Sequence, residues 1–147
     1  MAFALSSSLA AAAPSTARGG VSVRPVAASS AVDAKTRALL TDAVTRNLAR
    51  ASAGAPLGDY SVSPSLVQLR RYVERGADSR ATIVCIVELA LTDAHGAILG
   101  VTHGSATVAG GTTADAIEAA ARAASSPIAA SLRAIEGSQS NGLHASR

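Results

Sequence analysis

The chain is 147 residues long with a formal net charge of +3, the size of one ordinary domain. Hydrophobic residues make up 48% of it and aromatics only 2%, but 35 residues are alanine, so Val, Leu and Ile must supply most of the buried area. A single cysteine, Cys85, excludes an internal disulfide and a Cys-based zinc site, and no run of 18 strongly apolar residues is present to form a spanning helix.

Residues 1–19 read as a leader. Met1 to Ala13 is apolar and ends in small residues, like the h-region and cleavage site of a secretory signal peptide. The positive n-region is missing, because Arg18 is the first charge. The expected location is therefore periplasmic or secreted. The alternative is an organelle, since residues 1–32 hold Ser, Ala and two Arg before the first acid, Asp33. No cysteine follows the apolar stretch to accept a lipid.

One α/β domain is expected over residues 20–136. Residues 20–26 alternate and meet Pro25, which predicts a short first strand. Ser30 with Asp33 suggests a capping box for a helix over 32–50. In that helix Thr36, Leu40, Val44 and Leu48 recur on one face beside Ala43 and Asn47. Residues 59–74 predict a second strand. Pro64 makes it bent, bulged or peripheral, because proline cannot donate to a ladder. Residues 81–92, ATIVCIVELALT, are β-branched and apolar on both faces except for Glu88, as in a central strand. Asp93 and Gly96 predict a type I turn with a glycine bulge, and residues 97–109 return as the fourth strand. That turn sets Asp93 opposite Ala97, Leu91 opposite Leu99, Leu89 opposite Val101, and His103 beside Val87.

Thr112 with Asp115 can cap the last helix, whose stripe is Ile117, Ala121, Ala124, Ile128, Leu132 and Ile135. Its alanines permit close approach to the sheet. Pro127 either kinks this helix or starts a new one after Ser126. Residues 137–147 are polar and expected to be disordered. The order β-α-β-β-β-α then gives a two-layer α+β sandwich, a mixed four-stranded sheet with both helices on one face.

Candidate chemistry is sparse. Asp93, His95, His103 and Ser105 would make a nucleophilic triad or a metal site only if they converged. The expected hairpin puts His95 at the tip and His103 several residues down the strand. Ser105 lacks the second glycine of a nucleophile elbow and lies on a strand. No catalytic, cofactor or metal residue is therefore assigned, and the chain is not expected to be an enzyme. Cys85 shares a face with Ile83, Val87 and Leu89 and reads as a buried, inert thiol. Val84, Ile86 and Glu88 lie on the opposite face and form the candidate protein-contact surface. Arg70, Arg71, Arg75 and Arg80 make a basic patch with no aromatics interleaved for base stacking, so nucleic acid is not the expected partner. Gly110-Gly111 lacks the spacing of a phosphate-binding loop.

The order of elements, with the strand Val21 to Val26 and the hairpin Leu91-Thr92-Asp93-Ala94-His95-Gly96-Ala97-Ile98-Leu99, resembles a small domain of bacterial envelope proteins. That group comprises the TolB amino-terminal domain, the curli-secretion lipoprotein and the lipoprotein activators of peptidoglycan synthases. Ser63-Pro64-Ser65 stands where a Gly-Ser step is usual. The resemblance implies an envelope scaffold or interaction module without catalytic residues. The expected partner is another envelope protein or a second copy of the chain. The alternatives are a small serine hydrolase using His103 and Ser105, and a basic nucleic-acid binder.

Overall fold

The structure is a computed structural model that describes residues 15–16, 21–26, 32–51, 59–76 and 80–142. Ser30 and nearly all of the leader lie outside them. The strands are β1 (Ser15–Thr16), β2 (Val21–Val23), β3 (Tyr60–Val73), β4 (Ala81–Thr92) and β5 (Ile98–Ala109), and the helices are α1 (Ala34–Ala51) and α2 (Thr113–Gly142). The four expected strands form one mixed sheet, and the two-residue β1 extends it beyond β2. The strand order follows the chain, β1-β2-β3-β4-β5. β2 runs parallel to β3 across the α1 crossover, while β3, β4 and β5 form an antiparallel meander.

Capping sets the helix starts. Asp33 itself caps α1: the Thr36 N–H donates to its Oδ1 at 2.9 Å and the Thr36 hydroxyl to its Oδ2 at 2.7 Å. The helix begins one position after Asp33. Thr112 and Asp115 form the expected reciprocal box, with the Thr112 N–H on Asp115 Oδ2 at 2.8 Å and the Asp115 N–H on Thr112 Oγ1 at 3.2 Å.

Both helices cover one face of the sheet. The core joins Leu40, Val44 and Leu48 of α1 and Ile117, Ile128 and Leu132 of α2 to Ile83, Cys85, Val87, Leu89 and Leu91 of β4. α2 lies on β4 and β5, and α1 packs against α2 and the β2–β3 end. The contact with β5 is close because both sides are small. A Cβ added to Gly104 would stand 2.0 Å from the Ala120 carbonyl oxygen and 2.5 Å from the Ala124 nitrogen. The Thr102 hydroxyl donates to the Ala124 carbonyl at 2.8 Å.

Pro127 lies inside one continuous helix, so of the two expected arrangements a second helix starting after Ser126 is excluded. Two local features differ from expectation. Helix continues past Gly137 to Gly142, within the stretch expected as a disordered tail, with the Ser138 hydroxyl on the Ala134 carbonyl at 3.0 Å. Finally, the β4–β5 register is one residue away from the predicted one. The Asp93 N–H does donate to the Ala97 carbonyl at 3.0 Å, but a second irregularity between Leu91 and Thr92 inserts an extra residue. Leu91 therefore opposes Gly100, Leu89 opposes Thr102 and Val87 opposes Gly104. A one-residue slip exchanges the two faces of a strand. It turns Gly100, Thr102, Gly104, Ala106 and Val108 toward α2 and leaves Leu99 and Val101 about half exposed, at 47% and 46%.

Candidate binding surface

The face of the sheet opposite the helices is its most distinctive surface. Pairing in the meander brings side chains of three strands into rows across it. One row is Arg70, Val84 and Thr107, the next Gln68, Ile86 and Ser105, and the third Ser65, Glu88 and His103. Val84, Ile86 and Glu88 fall together here as predicted and are half-buried by their neighbours, in contrast to fully buried Cys85 and Val87 on the other side. No described helix packs on this face. Tyr72, 48% exposed, lies at one end and Val101 at the other.

His103 corrects the sequence expectation. It faces Glu88 rather than Val87, and its Nε2 lies 2.8 Å from Glu88 Oε2. The bulge beyond Leu91 makes this pair, so a register counted from the turn alone misses it. The available signal was the pair Gly100 and Gly104 on one face of the strand: glycine suits close contact with an alanine-rich helix, and the intervening neighbour His103 must then point away. Side-chain exposures of 61% for His103 and 37% for Glu88 leave the pair open to solvent.

The other candidate residues do not converge. Asp93 caps its own turn, with its Oδ1 accepting the His95 and Ala97 N–H groups at 2.9 Å. His95 is exposed at the hairpin tip. Ser105 shares a face with His103, but its hydroxyl makes no hydrogen bond to any described residue. Burial pushes the Cys85 thiol up to about 11, far from the thiolate form. Arg70 and Arg71 point to opposite faces of β3, which divides the basic patch. No group of three metal-ligating side chains occurs among the described residues.

A polar cluster between the helices was not legible in the sequence. Glu118 accepts from Arg46 at 2.9 Å and from Asn47 at 3.0 Å. Burial raises its proton affinity, but these hydrogen bonds and the charges of Arg46 and Arg122 outweigh it and hold the carboxyl below its ordinary value. The cluster ties α1 to α2. No described helix is long and apolar enough to cross a membrane.

No family model and no curated protein matches the chain. Solved structures share its fold. A point variant of PelC from Paraburkholderia phytofirmans, a dodecamer, is 19% identical with a TM-score of 0.58, covering 80% of this chain and 92% of that one. A second PelC dodecamer from the same organism has a TM-score of 0.56 at 19% identity, covering 80% and 94%. A candidate lipoprotein from Caulobacter crescentus CB15 is looser, with a TM-score of 0.45 at 19% identity over 78% and 88%. By description none of these is a TolB domain, a curli lipoprotein or a synthase activator, so the likeness stands at the level of the fold.

Proposed function

We propose that this chain is a non-catalytic module of the bacterial envelope that binds another protein through the helix-free face of its sheet. The observation that carries the reading is the set of aliphatic side chains there, Val84 and Ile86, on a central strand with no described helix over them. The polar groups around them, Gln68, Ser65 and the Glu88–His103 pair, suit the rim of a protein contact. The envelope location draws on the export-like N-terminus and the resemblance to envelope domains. A further copy of the chain is a second class of partner, supported by the dodecameric state of PelC. The test is recovery of a bound protein on immobilised chain, comparing Val84→Asp and Ile86→Asp with the parent. Loss of recovery with the fold intact supports the reading, and unchanged recovery overturns it.

One observation favours a second reading. Glu88 orients the His103 ring two residues from Ser105 on the same face, the raw material of a small serine hydrolase. The open, solvated setting weighs against it, as does a Ser105 hydroxyl that bonds to no described residue. A fluorophosphonate probe that labels Ser105 would establish this second reading; an unlabelled chain removes it.

A further inference from the structure

Backbone groups on alternate residues of an antiparallel strand point to opposite sides. In β5 the anchor is Gly110, whose N–H donates to the Ala81 carbonyl at 2.9 Å. Carried along the register, this makes Val108, Ala106, Gly104 and Thr102 the residues bonded to β4. Thr107, Ser105, His103 and Val101 turn their N–H and C=O groups outward. β5 is the last strand of the sheet, and no described residue bonds to that outer row.

The second open edge, β3 beyond its short pairing with β2, is built differently. Arg24 donates to the Val62 carbonyl at 2.8 Å, so the same alternation aims the nitrogen of Pro64 outward, where no N–H is available. A bulge at Val67 and the charges of Arg70 and Arg71 follow. Proline, bulges and charge are the usual protections of a sheet edge. β5 has almost none of them. Its twelve residues contain no Pro, Lys, Arg, Asp or Glu, and its one irregularity lies at its first residues. Exposed Ile98, at 67%, and Leu99 add apolar surface beside it.

We propose that the outer edge of β5 pairs antiparallel with β5 of a second copy across a two-fold axis, joining two sheets into one. A two-fold contact is self-complementary, so each outward N–H of one strand meets an outward C=O of the other. A strand without fixed charge sets no like charges across the pair, and its His103 already faces its own Glu88. The protected β3 edge is a poor acceptor, which favours this closed pair over a head-to-tail chain. The inference rests on the reading that the module works by protein contact, and it specifies a second copy at the edge. The paired sheets would present their two open faces as one wider platform.

Sedimentation equilibrium on the full chain tests it, with an expected mass of twice 14.5 kDa. Ser105→Pro removes one outward N–H while sparing the bonds to β4, and Thr107→Lys adds edge charge without changing the backbone. Each should weaken the dimer at least about tenfold, roughly the loss of one to two net hydrogen bonds, with an unchanged circular dichroism spectrum. A monomeric parent overturns the proposal, as does a dimer unaffected by Thr107→Lys in a folded variant. Ile86→Asp separates the two readings: it should leave the dimer intact while abolishing capture of another protein. Dimer loss in Ile86→Asp together with an unaffected Thr107→Lys places self-association on the face and overturns the edge.

Discussion

Gly104 of β5 meets Ala124 of α2 with no room for a methyl group between them. The two nearest atoms a Cβ would strike, the Ala120 carbonyl oxygen and the Ala124 nitrogen, are backbone, so the helix itself would have to move. Gly104→Ala should therefore destabilise the fold by about 1–3 kcal/mol, the usual range for overpacking a well-packed interior. Gly100→Ala, with nothing within 4 Å of the new Cβ, should be close to neutral. Urea denaturation of the two variants checks the contrast; equal midpoints would contradict the close contact.

The Glu88–His103 pair has the opposite character. Both groups are solvated, and exposed polar pairs of this kind contribute little to stability. His103→Ala should shift stability by less than about 0.5 kcal/mol while weakening capture of a protein partner. A large loss of stability in thermal unfolding would show that the pair is structural.

Carboxylates set the acid limb of stability. Hydrogen bonds from Thr36 hold Asp33 below its ordinary value of 3.8, and those from Thr112 do the same for Asp115. Glu118 is held below 4.5 by the balance described above. A carboxyl depressed in the folded state contributes stability that is fully present above its unfolded value and is lost as pH falls through the lower folded value. Stability should thus be level near neutrality and decline through the acid range below these ordinary values. Asp115→Asn should lower the plateau and flatten the decline. A urea midpoint series against pH reads both effects.

Cys85 should be silent in the native state. It is fully buried in the core, and its thiol is pushed up to about 11, so a disulfide exchange reagent should label it only after denaturation. Labelling at the rate of a free thiol in native buffer would mean that β4 is open to solvent.

How far the sequence foretold this molecule depended on the kind of signal. The aliphatic run Ala81–Thr92 specified a central strand to the residue, and the four-residue spacing from Thr36 to Leu48 gave the buried face of α1. Both record burial directly. The pairing of β4 with β5 does not. A bulge is a single inserted residue that the turn residues do not announce, and it exchanged the faces of β5 beyond it. The open-face trio Val84, Ile86 and Glu88 survived because it belongs to one strand. The Glu88–His103 contact and the Arg46–Asn47–Glu118 cluster each needed a second element's position, which spacing along the chain does not carry.

The central claim is that the helix-free face is the working surface. Its most direct test places a photo-crosslinking side chain at Ile86 on that face and, separately, at Ala123 on the exposed side of α2. The same partner protein should be captured from Ile86 and not from Ala123. Capture of that partner from Ala123 alone would contradict the account.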